Sequence, residues 1–272
     1  MDRVFHSPGK AEPQATHLSV HRLSLHFGGV QALHQVDLEV GKGMLFSLIG
    51  PNGAGKTSLI NCISKFYLPS EGKIVCNGRE ITRFRPHEVA RFGISRTFQN
   101  IELFKGMTVL DNLKLGRHIH LRTGAMAGMW YFGRARREER ELESFLEREI
   151  LDFLGLTDIK DQTVATLPYG LRKRVDLARA LAAKPEFLIL DEPVAGMNRE
   201  ETTDMIRHIL EIKKSWGLTV LLIEHDMEVV MNISDRVAVM NFGEKIAEGT
   251  PEAVQKDPEV IRTYLGHAWK EN

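Results

Sequence analysis

The sequence predicts an α/β fold in which a mainly parallel sheet is covered by helices, with an antiparallel β edge subdomain and an inserted α-helical subdomain. Apolar and polar residues alternate at 18–25 and 36–40, as in antiparallel strands with one exposed face. The segments 187–190 and 220–223 are wholly apolar, as in parallel strands that helices cover on both faces. Between about 108 and 166 strand patterns disappear and charged helical sequence takes their place.

Length and composition indicate the domain organisation. With 272 residues, of which 43% are hydrophobic, the chain can bury a sizeable core and is expected to form one domain, residues 18–272. The helical subdomain is expected at about 100–170, inserted into that domain. Residues 1–17 contain prolines and polar residues but no apolar core, so we expect a flexible N-terminus there and not a signal peptide.

Charge and cysteine content argue against several classes of protein. Lys plus Arg number 36, as do Asp plus Glu, so the net charge is zero and indicates no nucleic-acid partner. Cys62 and Cys76 lack metal-ligand spacing and indicate core thiols in a reducing compartment. No run approaches the roughly 20 apolar residues that cross a bilayer, which predicts a cytoplasmic chain that is soluble when isolated.

Residues 50–57, Gly-Pro-Asn-Gly-Ala-Gly-Lys-Thr, fit the phosphate-binding P-loop pattern G-x-x-x-x-G-K-[ST]. The apolar run 44–49 precedes them and a helical pattern follows, which disfavours the alternative of a glycine-rich turn that binds nothing. We expect Lys56 to reach the β- and γ-phosphates and the Thr57 hydroxyl to bind Mg²⁺. The motif predicts a P-loop nucleoside triphosphatase with a RecA-like core. Its predicted nucleotide-binding residues are Gly50, Pro51, Asn52, Gly53, Ala54, Gly55, Lys56, Thr57 and Ser58.

Acidic and imidazole side chains follow two apolar strands. Asp191 and Glu192 end the first, the Walker B arrangement in which we expect Asp191 to hold Mg²⁺ and Glu192 to polarise the attacking water. A solvated acidic turn is the alternative. His225 follows the second strand, at the sheet edge where ligands of open α/β folds bind, and is expected to sense the γ-phosphate. The alternative is that His225 has a purely structural role.

A second candidate anion site precedes the helix that ends before Pro185. Pro168, Tyr169 and Gly170 lie at its N-terminus, where backbone N–H groups attract phosphate. One nucleotide rarely needs two such sites, so we expect this one to bind the nucleotide of a partner subunit.

From residue 18 onward these motifs, in this order, resemble the nucleotide-binding subunits of ABC transporters. The resemblance implies that 18–272 forms an ABC-type ATPase domain. It also implies that Phe27 stacks on adenine, that Gln99 in the Q-loop binds nucleotide and metal, and that Asn198 belongs to the D-loop. His225 is then the H-loop residue. Within the family, residues 96–100, 167–170, 223–227 and 263–266 look like those of the branched-chain amino-acid uptake branch.

The chain departs from the family pattern at several positions. Pro168 and Tyr169 replace the serine and first glycine of the signature, and Leu171 replaces its glutamine. Because proline lacks an N–H, phosphate contact falls on the Gly170 amide and the helix end. Asn198 replaces the common aspartate. Phe27 replaces tyrosine, which keeps the stacking surface and removes a hydroxyl.

The resemblance implies an ATP- and Mg²⁺-dependent ATPase subunit of an importer of branched-chain or related amino acids. Two ATPase subunits, identical or related, would sandwich two ATP molecules. Transmembrane permease subunits would hold them peripherally at the cytoplasmic face of the cell membrane, and a solute-binding protein would act indirectly. Another ABC system, for export or lipid extraction, is the main alternative; a mechanical ABC ATPase on DNA or ribosomes and a small-molecule kinase are further ones. The apolar segment 124–133 is expected to pack within the helical subdomain or to contact a transmembrane partner.

Overall fold

The computed structural model describes residues 15–117 and 132–268. Most of the predicted flexible N-terminus and most of segment 124–133 lie outside these ranges, so the two roles predicted for that segment stay predictions. Thr16 and His17 already belong to the first strand, and His17 is buried, 4% exposed. The imidazole Nδ1 of His17 lies 2.6 Å from the Thr219 hydroxyl, which connects the start of β1 to the central sheet.

An antiparallel sheet forms one side of the molecule, in the strand order β2-β1-β4-β5. Its strands are β1 (Thr16–Phe27), β2 (Val30–Gly41), β4 (Glu71–Cys76) and β5 (Arg79–Glu80). The alternating segments of the sequence thus form the predicted antiparallel edge. Cys62 and Cys76 are free and buried, as expected for core thiols.

The central sheet has the order β10-β9-β3-β8-β7-β6. Its strands are β3 (Leu45–Ile49), β6 (Ile94–Arg96), β7 (Phe187–Asp191), β8 (Thr219–Ile223), β9 (Arg236–Asn241) and β10 (Glu244–Gly249). All neighbouring pairs are parallel except β9 and β10, which form an antiparallel hairpin. The predicted α/β core with an antiparallel edge is confirmed.

Helices cover the central sheet and build the helical subdomain. Their bounds are α1 (Lys56–Ile63), α2 (Pro86–Arg91), α3 (Val109–Arg117), α4 (Phe132–Phe145), α5 (Tyr169–Ala182), α6 (Arg199–Trp216), α7 (Met227–Ile233), α8 (Pro251–Gln255) and α9 (Pro258–Ala268). Helix α4 continues into a π-helical turn, Leu146–Leu151. None of the described helices has the length and hydropathy needed to cross a bilayer.

The central sheet is buried on both faces, as its wholly apolar strands require. Along β7, Phe187 and Ile189 pack into the core beneath the antiparallel sheet, whereas Leu188 and Leu190 face the core beneath the helical subdomain. Strands β3, β7 and β8 have five residues each, and every one of them is buried. The carboxyl ends of these three parallel strands meet at one edge of the sheet, and this edge carries the P-loop, Glu192 and His225.

Candidate nucleotide-binding site

The P-loop connects the end of β3 to the start of α1, and close backbone approach requires glycine at two of its positions. Gly50 has a φ of +150°, and a Cβ there would clash with the carbonyl oxygen of Met240. Gly55 is the N-cap of α1 with a φ of +99°, and a Cβ there would lie 2.9 Å from the carbonyl oxygen of Ala32. These two glycines therefore let the chain turn tightly into the N-terminus of α1, where backbone N–H groups can bind phosphate.

Lys56 is buried, and its ammonium spans the loop. Nζ donates hydrogen bonds to the carbonyl oxygens of Gly50, at 2.6 Å, and Pro51, at 3.0 Å. Burial lowers the pKa of Lys56, and the carboxylates of Glu192 and Asp191 act in the opposite direction. The side chain thus stands between the loop and the carboxyl ends of the strands, where a phosphate chain would need a positive charge.

A cavity of about 510 Å³ opens over this loop. It brings together most of the predicted nucleotide-binding residues with Gln99 and Glu192. Its lining residues are Val30, Gln31, Ala32, Asn52, Gly53, Ala54, Gly55, Lys56, Thr57, Ser58, Gln99, Glu192, Ile223, Phe242 and Gly243. Val30 and Phe242 are apolar wall residues that the sequence motifs did not indicate.

Phe27 does not line this cavity. It ends β1 and is 46% exposed, and its ring packs edge-on against that of Tyr67 with centroids 5.0 Å apart. The stacking role that the family resemblance implies for Phe27 stays a prediction.

Glu192 follows β7 in a left-handed backbone conformation, with a φ of +49°. A bulky residue rarely adopts this conformation, which costs free energy and is found at functional sites. Its N–H donates to the carbonyl oxygen of Ile223 at 2.9 Å, and its Oε2 accepts a hydrogen bond from Nε2 of Gln99 at 3.0 Å. The Q-loop and Walker B residues predicted from sequence are therefore in direct contact.

Asp191 is held differently from its neighbour. Its Oδ2 forms a 2.8 Å ion pair with Arg96, and both side chains are nearly buried. Arg96 also donates to Asn61 and Ser64, so it joins β6, β7 and the end of α1. Burial raises the pKa of Asp191, and the hydrogen bond and charge of Arg96 oppose that shift.

His225 lies beside Glu192, although the two are not hydrogen-bonded. Its Nδ1 is 3.8 Å from Oε1 of Glu192 and 3.8 Å from Oε2 of Glu224, and its side chain is 64% exposed. Glu224 is 1% exposed and accepts backbone N–H groups from Val194, His225 and Asp226. Burial raises the pKa of this carboxyl. Glu224 thus supports the backbone on which His225 is presented.

Lys173 is a site residue that sequence reasoning missed. In sequence it belongs to the basic run 172–174, which looks like a solvated helix face, but in the structure it is 4% exposed. Its Nζ donates to the carbonyl oxygens of Gln99, at 3.1 Å, and Glu192, at 3.0 Å. In the helical pattern of α5, Lys173 occupies a position where an apolar residue is expected. This mismatch is the feature of the sequence that could have indicated its buried role.

The signature residues lie outside the cavity lining and pack against 196–201, the segment that contains the D-loop residue Asn198. Pro168 is the N-cap of α5 and makes no side-chain cap. A Cβ at Gly196 would lie 3.1 Å from the Tyr169 ring, and one at Gly170 would clash with the Glu201 carboxylate. Asn198 caps α6, since it and Glu201 exchange 3.0 Å hydrogen bonds between side chain and backbone.

The residues predicted to hold Mg²⁺ fit an ion that a nucleotide brings with it. No group of three or more His, Cys, Asp or Glu side chains in the described part of the chain could hold a metal ion. Mg²⁺ usually binds one or two protein oxygens together with phosphate oxygens and water. The Thr57 hydroxyl and the Gln99 amide line the cavity with such hard oxygens, whereas the Asp191 carboxylate is engaged by Arg96.

Comparisons with known proteins agree with this geometry. The family model "ABC transporter" matches residues 33–195, and "Branched-chain amino acid ATP-binding cassette transporter" matches residues 244–270. The high-affinity branched-chain amino acid transport ATP-binding protein BraF of Pseudomonas aeruginosa is 43% identical over 251 residues, 92% of this chain and 98% of that protein. LivG of Escherichia coli, which carries the same description, is 42% identical over 253 residues, again 92% and 98% of the two chains.

Solved structures show the same fold. A nucleotide-free ATP-binding cassette of an ABC transporter superposes with a TM-score of 0.80 at 34% identity, over 92% of this chain and 98% of that one. Another cassette, in its ADP conformation, has a TM-score of 0.80 at 36% identity, over 93% and 100% of the two chains. With a P-loop, a Walker B strand and these relatives, the chain belongs to the ABC transporter family as one of its ATP-binding, ATP-hydrolysing subunits.

Proposed function

We propose that this protein hydrolyses ATP to drive uptake of branched-chain or related amino acids through separate membrane subunits. The contact between Gln99 and Glu192 carries the ATPase part of the proposal, since it holds a carboxylate that can accept a proton at the wall of the P-loop cavity. The relatives BraF and LivG and the match of residues 244–270 support the choice of solute.

In this proposal ATP binds with its phosphates over the P-loop. Backbone N–H groups of 50–57 and the start of α1 face the phosphates, and Lys56 turns from the loop carbonyls to the β- and γ-phosphates. Thr57, Ser58 and Gln99 lie at the same wall. Mg²⁺ bound with the nucleotide would neutralise negative charge on the phosphates. Thr57 and Gln99 would hold it, and Asp191 would join them only on leaving its ion pair with Arg96.

Glu192 is the proposed general base. Its carboxylate is within hydrogen-bond reach of Gln99, which fixes one oxygen and leaves the other, 3.8 Å from His225, to face water. His225 is exposed enough to turn toward the γ-phosphate. Both side chains come from the carboxyl ends of neighbouring strands, so their separation is set by the sheet and not by loop mobility.

Two such subunits are proposed to close on two ATP molecules. The signature residues 168–170 and Asn198 of each chain lie outside its own P-loop cavity, which suits a site completed by a second subunit. The γ-phosphate adds charge that both helix ends attract, so ATP favours the closed dimer and hydrolysis weakens it. We propose that transmembrane permease subunits at the cytoplasmic face of the membrane receive this motion, and that a solute-binding protein delivers the amino acid.

The proposal is tested by purifying the tagged chain from membranes of its source cells and reconstituting it with the co-purifying membrane proteins in lipid vesicles. We expect leucine accumulation that requires ATP on the side of this subunit and is lost in Lys56→Ala. Outward solute movement or lipid extraction by the same complex would contradict the importer and support the alternative ABC system.

A further inference from the structure

The carboxylate of Glu201 lies against the first turn of α5, the helix that begins at the signature. A Cβ on Gly170 would clash with this carboxylate, and its nearest neighbour would be Oε1 of Glu201. Gly170 is buried in the first turn of α5. Because Cα–Cβ bonds in an α-helix tilt toward the helix N-terminus, the carboxylate lies on the side of the unpaired N–H groups of that turn.

Hydrogen bonds at the start of α6 hold Glu201 in this place. Its Oε2 accepts the backbone N–H of Asn198 at 3.0 Å, and its own N–H donates to the Asn198 side chain at 3.0 Å. This capping box leaves Oε1 as the oxygen nearest to Gly170. Glu201 is partly exposed, so its side chain has solvent to turn into when the contact with Gly170 is broken.

The start of α5 has no negative charge of its own. Pro168, its N-cap, makes no side-chain cap, and its first turn contains no acidic residue. The N-terminus of a helix carries partial positive charge, which attracts a carboxylate and a phosphate alike. Glu201 therefore faces, within one chain, the same helix end at which the γ-phosphate of a second subunit's ATP is proposed to bind.

We propose that Glu201 is a competing anion at the signature. In the single subunit its carboxylate occupies the start of α5, and it must withdraw before the γ-phosphate of the other subunit's ATP can bind there. Two negative charges at one helix end repel each other, so Glu201 opposes closure of the dimer until that phosphate displaces it. The inference rests on the proposed closure of two subunits on ATP.

The test is sedimentation equilibrium of the full chain in Mg-ATP, with Glu192→Gln as the parent protein so that ATP is retained. Adding Glu201→Gln removes the charge but keeps the shape and the capping box, in which Gln can replace Glu. We expect the dimer dissociation constant to fall by about ten-fold, because a charge at a helix end changes affinity by roughly three-fold and each dimer has two such sites. Glu200→Gln, at the preceding exposed position of α6, is the matched control and should leave the constant unchanged.

A Glu201→Gln protein that pairs as the parent does, or more weakly, would overturn the inference. Weaker pairing is the result expected if Glu201 serves only to cap α6, so the two roles predict opposite signs. Equal tightening by Glu200→Gln would also contradict the inference, since the effect would then come from net charge alone. A parent protein that stays monomeric in Mg-ATP would instead contradict the proposed closure of two subunits, so the two failures are distinguishable.

Discussion

The ammonium of Lys173 donates a hydrogen bond to the backbone carbonyl of Glu192 at a distance of 3.0 Å. Lys173 belongs to α5, the helix that begins at the signature, and also binds the carbonyl of Gln99. One side chain thus connects the signature helix, the Q-loop and the proposed general base. Burial lowers the pKa of Lys173, and the nearby carboxylates of Asp176, Glu192, Glu224 and Asp191 oppose that shift.

We expect Lys173→Met to lower kcat by about ten-fold while the affinity for ATP changes little. A hydrogen bond from a charged group contributes roughly 1.5 kcal/mol or more of free energy, and here that free energy holds Glu192 in position. Steady-state ATPase kinetics and calorimetry measure the two quantities. Lys173→Arg, which keeps the charge and donors, should recover part of the rate. A Met variant with normal kcat would show that these contacts do not position Glu192.

The buried pair of Arg96 and Asp191 gives a prediction about stability. Arg96→Met leaves the Asp191 carboxylate without its partner, so we expect the free energy of unfolding to fall by about 3 kcal/mol. Urea unfolding measures it. Adding Asp191→Asn should recover part of the loss, since the unpaired charge disappears. The exposed pair of Arg85 and Glu88 is the control, and Arg85→Met should leave the free energy of unfolding nearly unchanged. Equal losses in the two Arg variants would contradict the burial argument.

Part of this site was predictable from sequence because the motifs are local and the sheet brings them together. Residues 50–57 follow one parallel strand and Asp191 and Glu192 end another, so their convergence at one sheet edge follows from strand direction alone. The same reasoning places His225 at that edge. What the sequence predicted was therefore the part of the site that strand ends determine.

The remaining residues depend on packing between distant segments. Phe242 reaches the cavity only because the β9–β10 turn is bonded to Ala54 and His34, which no local pattern indicates. Lys173 looks like a member of a basic helix face until the α5 helix is placed against the Q-loop. For Phe27, the family resemblance implied a role in adenine stacking, and the structure shows its ring packed against that of Tyr67.

Lys65 gives a pH-dependent prediction. It is 9% exposed, and its ammonium has no hydrogen-bond partner in the described structure. Burial lowers its pKa to about 8, against the attraction of Cys62 and Glu80. The unfolded chain keeps this proton up to about pH 10.4 and so binds more protons than the folded chain above pH 8. The free energy of unfolding should therefore rise with pH in that window through this residue.

We expect Lys65→Met to be more stable than the unaltered protein by about 2 kcal/mol at pH 7, where the cost of the buried charge is fully present. The difference should shrink as pH rises from about 8 to 10. Urea unfolding at several pH values measures it. Lys73→Met, on an exposed position of β4, is the matched control and should leave the free energy of unfolding nearly unchanged at pH 7. A pH-independent gain in Lys65→Met would contradict the lowered pKa.

The central claim is that ATP held over residues 50–57 is hydrolysed by a water that Glu192 activates. The most direct test measures phosphate release and ATP binding in the variant Glu192→Gln. A carboxamide cannot accept the proton, so we expect turnover to fall by at least about a hundred-fold while Mg-ATP still binds. Glu200→Gln, exposed at the start of α6, should retain normal turnover. Undiminished phosphate release by Glu192→Gln would contradict the account.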